Sequence, residues 1–155
     1  MEKERVADVD SWIGPASVKR SLTKALGAED VSMNYYELEP GESFAFGYHR
    51  HDGQEEVFYV LEGEATFETD DGEETVGAGE AVRFAPGEWQ QGWNRGDERV
   101  KALALGAPQE SGETTILRDC ADCGERTEQD IERAADADAL VTRCVDCGAE
   151  TGRFT

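Results

Sequence analysis

Two groups of side chains in this sequence have types and spacings that could do chemistry. The first is His49-Arg50-His51 followed by Glu56, and it contains both histidines of the chain. Alternation along a strand puts His49 and His51 on one face and Arg50 on the other. The polar turn Asp52-Gly53-Gln54 lets the chain reverse, so Glu56 on the next strand can point toward the same interior space. Two imidazoles and one carboxylate leave coordination positions open and suit Fe(II), Mn(II), Ni(II), Co(II) or Zn(II). The plainer alternative is a pair of surface histidines in a polar hairpin. The second group holds all four cysteines, Cys120-Ala-Asp-Cys123-Gly and Cys144-Val-Asp-Cys147-Gly, two near-repeats with 20 residues between them. Each pair can form a tight turn whose thiolates meet one ion, with Gly124 and Gly148 permitting the backbone to approach. Four soft thiolates at this spacing fit tetrahedral zinc and leave no position open, which makes the site structural. Redox dithiols are the competing reading, but those usually come as a single pair beside a βαβ unit.

The elements that must position these groups read as follows. Pro15 opens and Gly27 closes a stretch in which Val18, Leu22 and Leu26 recur on one helical face, which predicts a short helix near 15–26. From Val31 the pattern changes to short runs of period two between Pro-Gly, Asp-Gly and Gly-rich turns. The candidate strands are 31–38, 43–51, 55–62, 64–70, 73–77, 81–85, 88–94 and 99–106, and Asp70-Asp71-Gly72 marks a hairpin. Eight strands so spaced predict an all-β barrel or jelly roll. The expected organisation is an N-terminal segment with a short helix over 1–30, a barrel over 31–107, a linker over 108–116 and a cysteine-rich appendage over 117–155. The appendage is too short to build its own core, so it needs a metal, a disulfide or a partner, and two cysteine pairs are present. Residues 128–141, between the cysteine pairs, look loosely helical or loop-like.

Residues 40–63, PGESFAFGYHRHDGQEEVFYVLEG, resemble the first motif of the cupin superfamily: Pro-Gly, then His-x-His, four residues, Glu, six residues and Gly, matched by His49, His51, Glu56 and Gly63. Residues 79–94, GEAVRFAPGEWQQGWN, are similar to the second cupin motif, with Pro86 and Asn94 in place and Gly79 displaced by one residue. The histidine of that motif is Gln90 here. The resemblance covers roughly residues 31–107. It implies a jelly-roll barrel whose interior holds a divalent transition metal (Fe, Mn, Ni, Co or Zn) on His49, His51, Glu56 and the residue at position 90. Gln90 offers only an amide oxygen or NH₂. It can ligate weakly, hydrogen-bond a ligand or water, or mark a site that has lost its metal. The cysteine segment, with Cys120, Cys123, Cys144 and Cys147 as ligands, looks like a zinc ribbon.

Two functions stay open on these residues. One is a metal-binding cupin that holds a small organic ligand and performs an oxygenase-like or isomerase-like reaction. The other is a non-enzymatic metabolite sensor or protein-interaction module whose barrel metal is weak or lost, with the ribbon contacting a protein partner. No general acid or base is identifiable. The aromatic residues around the motifs are expected to fill the core, and Arg83 to lie on a sheet surface. Strand 55–62 is apolar on both faces, Phe58 and Val60 beside Glu56 and Val57, Tyr59 and Leu61 opposite. Something must cover the outer face, and the cupin resemblance implies a homodimer.

Charge bounds the rest. The 155 residues carry a formal net charge of -20, spread as -14 over residues 1–110 and -6 over 111–155, with only four lysines. This resembles cytosolic proteins of extreme halophiles, where molar salt cuts the Debye length to about 3 Å and screens self-repulsion. An ordinary acidic protein is the alternative. Such a field argues against nucleic acid and anionic membranes as partners. No apolar run approaches the roughly 18 residues of a membrane span, and the first ten residues, MEKERVADVD, lack a signal-peptide core, so a cytoplasmic protein is expected.

Overall fold

A computed structural model describes residues 1–136 and 138–155. After a 3-10 turn at Val6–Asp8 come β1 (Val18–Ser21), α1 (Leu22–Leu26), β2 (Ser32–Leu38), β3 (Tyr48–His51), β4 (Glu55–Glu62), β5 (Glu64–Thr69) and β6 (Gly72–Gly77). β7 (Ala81–Phe84), β8 (Gln90–Trp93), β9 (Val100–Ala107), β10 (Thr114–Cys120), β11 (Glu125–Arg133), β12 (Leu140–Cys144) and β13 (Glu150–Phe154) follow. The strands form two antiparallel sheets, one of five strands in the order β1-β2-β9-β4-β7 and one of eight in the order β13-β12-β11-β10-β3-β8-β5-β6. This is the expected all-β jelly roll. No helix among the described residues is long and apolar enough to cross a membrane.

The inward faces supply the core. Leu38, Val60, Ala65, Phe67, Val100 and Ala102 have essentially no exposure, as alternation on half-buried strands requires. Phe44, Phe58, Phe67 and Phe84 form one aromatic cluster, with Phe44 stacked on Phe67 at 5.9 Å and Phe58 tilted against Phe67 at 4.9 Å. These rings fill the barrel. Gly92 is where two of them pass closest to the backbone, since a Cβ there would lie 2.5 Å from Phe67 and 2.6 Å from Phe44. Asn94 is buried, and its amide donates to the carbonyls of Leu38 (3.0 Å) and Glu98 (2.7 Å), so it ties the end of β2 to the turn before β9.

Several expectations change, beginning with the strand expected over 43–51, of which only Tyr48–His51 is β3. The helix near 15–26 is β1 followed by a single helical turn. Residues 18–21 pair with Glu37, Tyr36, Tyr35 and Asn34 of β2, and only residues 22–26 are helical, with the Ser21 hydroxyl accepting from the Lys24 amide and Gly27 ending the turn at φ 66°. Helices this short gain little on their own, so an open strand edge on β2 wins over the helical spacing. Residues 128–133 and 140–141 are strand rather than loose helix or loop, and only the described residues between them form a turn, because β11 and β12 pair there as a hairpin. Its alternation was hidden because the inward residues are polar: Thr127, Gln129 and Thr142 are buried, and Thr151 Oγ1 donates to Gln129 Oε1 at 2.6 Å.

The segment expected as a linker ends inside β10, which is hydrogen-bonded to β3 on one side and β11 on the other. Barrel and cysteine segment thus share one continuous sheet. β10 sets Thr114 opposite His51 and Ile116 opposite His49.

Candidate metal centre

His49 and His51 come from β3, and Gln90 of β8 lies directly opposite His49 in the same sheet. Glu56 reaches in from β4 in the other sheet. One ligand atom from each of His49, His51 and Glu56 falls within 4.8 Å of the others, and the set is buried or half-buried. The three groups therefore converge as their spacing implied.

Both imidazoles are anchored at the nitrogen that faces away. His49 Nδ1 donates to the Gly47 carbonyl at 3.0 Å, and His51 Nδ1 sits 2.8 Å from Thr114 Oγ1, whose own proton can go to Ser111 Oγ at 3.3 Å. A carbonyl can only accept, so Nδ1 of His49 carries the proton and Nε2 turns its lone pair inward. Burial also pulls the His49 pKa down, against the pull of the Glu56 charge, and keeps the ring in its neutral, ligating form.

Gln90 fills the fourth corner. Its amide nitrogen lies 2.9 Å from Glu56 Oε2 and 3.1 Å from His49 Nε2, while His51 Nε2 lies 3.6 Å from Glu56 Oε2. Donors on neighbouring vertices around an ion, at bonds of about 2.1 Å, stand about 3.0 to 3.4 Å apart for octahedral or tetrahedral geometry. The tip of Gln90 stands at a spacing that suits a ligand vertex and is equally that of its hydrogen bonds to Glu56 and His49. Its Oε1 is buried with no partner. A half-turn of the amide exchanges the two atoms, pointing Oε1 at the centre; only a cation there would reward that, because Glu56 and His49 offer acceptors. The donor set fits a divalent metal.

These groups open onto a cavity of about 290 Å³ between the sheets. Its wall includes Lys19, Asn34, Tyr36 and Gln54, none of which the sequence reading singled out. Lys19 and Tyr36 face each other across β1 and β2, so the mistaken helix concealed them. Thr114 was missed because its place beside His51 depends on a pairing between residues 63 apart. Arg83 lies at the surface, as expected, and holds Glu55 at 2.6 Å. Removing the Thr114 hydroxyl frees the His51 ring, and outer-shell partners of this kind are worth about 10–100-fold in metal affinity. Thr114→Val is expected to weaken the barrel site by that factor, read by competition against a chromophoric chelator, and to leave the cysteine site unchanged.

The cysteines form the second centre. The four sulfurs lie within 4.8 Å of one another, with Cys120 to Cys147 at 3.5 Å and Cys123 to Cys144 at 3.8 Å. Zinc–sulfur bonds of about 2.3 Å in a tetrahedron put sulfurs about 3.8 Å apart, whereas a disulfide needs about 2.0 Å. Each pair closes a turn in which the glycine amide donates to the first cysteine's carbonyl, Gly124 to Cys120 and Gly148 to Cys144, both at 2.9 Å. Both glycines have positive φ, 74° and 78°. The Thr127 hydroxyl, 3.1 Å from Cys144, pulls that thiol down to about 6, with backbone N–H groups adding to the effect. The cluster could hold one metal ion.

Comparisons with known proteins agree with this fold. The family model of the Cupin domain matches residues 34–106. Among solved structures, a polyketide cyclase, RemF, from Streptomyces resistomycificus is 25% identical with a TM-score of 0.65, covering 79% of this chain and 89% of its own. A sugar phosphate isomerase from a cupin superfamily, from Silicibacter pomeroyi, is 22% identical with a TM-score of 0.63 over 99% of this chain and 91% of that one. A Cupin 2 conserved barrel domain protein from Salinispora arenicola is 19% identical with a TM-score of 0.58 over 69% and 88%. No curated protein sequence matches.

Proposed function

On the premise that residues 34–106 form a cupin domain, we propose that the barrel binds a divalent transition metal through His49, His51, Glu56 and Gln90, and that the metal acts on a small oxygen-bearing ligand. The observation that carries this reading is the convergence of His49, His51 and Glu56 within 4.8 Å, with Gln90 beside them, 2.9 Å from Glu56 and 3.1 Å from His49, its carbonyl oxygen buried and unpartnered. A metal held there polarises a ligand oxygen as a Lewis acid, the chemistry shared by isomerase-like and oxygenase-like reactions. The protein's own groups do the rest. Gly47 and Thr114 hold the imidazoles in the ligating tautomer and orientation. Tyr36 lines the cavity, and burial first, then the Glu56 charge, raises its pKa and keeps the phenol protonated, so it donates hydrogen bonds to whatever the cavity holds. Phe44 and Phe58 make part of the cavity wall apolar.

The cysteine cluster is proposed to bind zinc as a structural clamp, and the exposed outer face of β4, with Tyr59 and Leu61 each about 40% exposed, to pair with a second copy. A ligand-sensing protein without turnover is the second reading. It is favoured by Gln90 itself, since an amide carbonyl holds later transition metals less firmly than imidazole.

Elemental analysis of the full chain, purified in high salt, tests the central claim. The expected result is two metals per chain, one zinc retained in His49→Ala and the other lost. One metal in both proteins would overturn it.

A further inference from the structure

Lys19 is the odd group in the cavity. The side chain leaves β1 beside Tyr36, and its Nζ lies 5.6 Å from the Tyr36 ring centre and 6.0 Å from that of Trp12. Among the described residues Nζ makes no ion pair and no hydrogen bond, whereas Lys101 holds Glu62 at 3.1 Å. Burial lowers the pKa of Lys19 and the Glu56 charge raises it, so the amine lies deep enough to feel both low dielectric and the metal-site carboxylate. A half-buried ammonium at the cavity wall without a carboxylate partner is left for water or an anionic ligand to satisfy. Aromatic faces meet only part of that need.

The charge inside the cavity sets what the ligand must be. Lys19 and Glu56 are the lysine and the carboxylate of the lining and offset each other, and a divalent ion held on His49, His51 and Glu56 would give the cavity a positive surplus. The outside of the molecule is strongly negative, at -20 overall, so an anion is retained only where such a local surplus exists. A volume of about 290 Å³ falls at the bottom of the range for drug-sized pockets, about 300–1,000 Å³.

We propose that Lys19 is a specificity-determining residue that selects a small dianionic ligand, with one oxygen-donor end at the His49–His51–Glu56 centre and a second anionic group, carboxylate or phosphate, at the Lys19 ammonium. This rests on the metal reading given above and adds the substrate class to it. Neutral ligands of the same size leave Lys19 unpaired and bind more weakly.

Matched pairs of probes isolate the second anionic group. Malate and lactate share the 2-hydroxycarboxylate end, and 3-phosphoglycerate and glycerate do likewise, so each ratio of dissociation constants reports the distal group alone. In full-length wild type of known metal content, calorimetry is expected to give a ratio of about tenfold or more in favour of the member that carries the distal anionic group. The pair with the larger ratio identifies carboxylate or phosphate. In Lys19→Met the ratio falls to near one with metal content and thermal midpoint unchanged, and Lys19→Arg restores most of it. Equal binding within both pairs in the wild type, or the same ratio in Lys19→Met, overturns the inference. If Lys19→Met does not fold, Lys19→Gln is read in the same way. Absence of a barrel metal, seen by elemental analysis before any ligand is added, sinks the metal reading separately. The ratios measured on that protein still decide whether Lys19 selects the anion.

Discussion

Cys120→Ser is expected to unfold strands β10 to β13 and to strip the barrel of its metal as well, although Cys120 does not touch the barrel site. The segment has little apolar surface to fold around. Its buried residues are Cys120, Ala139, Val141 and Cys144 beside the polar Thr127, Gln129 and Thr142. Segments of this size without a metal or disulfide are marginal, and a structural zinc contributes about 10 kcal/mol or more. Three cysteines cannot close the tetrahedron, so most of that stabilisation goes. The loss then travels along hydrogen bonds, because β10 is the neighbour of β3: Thr114 pairs with His51 and Ile116 with His49. With β10 gone, β3 becomes an edge with only its short contact to β8, and His51 loses the hydroxyl that fixes its ring. Hydrogen exchange checks the first part, with protection lost in β10–β13 and kept in β2, β4 and β9. Metal analysis checks the second, since His49→Ala loses one metal and Cys120→Ser loses both. A barrel metal that survives unfolding of β10–β13 would show the two centres to be independent.

Much of this architecture was legible in the sequence, and the parts that were not share a physical cause. The barrel strands could be read because apolar residues alternate inward along them: β4, expected at 55–62, is Glu55–Glu62, and β2, β5, β6, β7 and β9 fall within a residue of expectation at each end. The metal-site groups could be read because the x between two histidines is a strand's own period. β11 could not, because what it buries is Thr127 and Gln129, and inward polar residues leave no hydrophobic pattern. β1 was hidden for the opposite reason: Val18, Leu22 and Leu26 make an acceptable helical face, and only the open edge of β2 decides the matter. Lys19 follows from the second of these errors, and Thr114 from taking the start of β10 for a linker. Each reaches the site through pairing between distant segments, a term that local propensity does not contain.

Gln90→His is expected to tighten the barrel metal by an amount comparable to the loss from a missing outer-shell partner, about 10–100-fold. The position is already right, for the tip of Gln90 stands at ligand spacing from both Glu56 and His49. The chemistry at the tip is what changes, since an amide carbonyl is a harder and weaker donor toward Fe, Co, Ni and Zn than an imidazole nitrogen. The opposite substitution separates ligation from mere packing. Gln90→Leu keeps the buried volume and removes both the donor and the acceptor, so it is expected to weaken the metal; in the metal-free protein it relieves the unpartnered Oε1 but leaves Glu56 and His49 without their amide donor, so stability is expected to fall by about 1–3 kcal/mol. Competition titration against a chelator of known affinity reads the first quantity and thermal midpoints after metal removal read the second. Equal metal affinity in Gln90→His, Gln90→Leu and the parent would place Gln90 outside the coordination sphere. A weak ligand at this corner also has a functional consequence. An amide that yields its vertex more readily than imidazole leaves that position to a ligand oxygen, so the same substitution that tightens the metal is expected to slow ligand exchange on it.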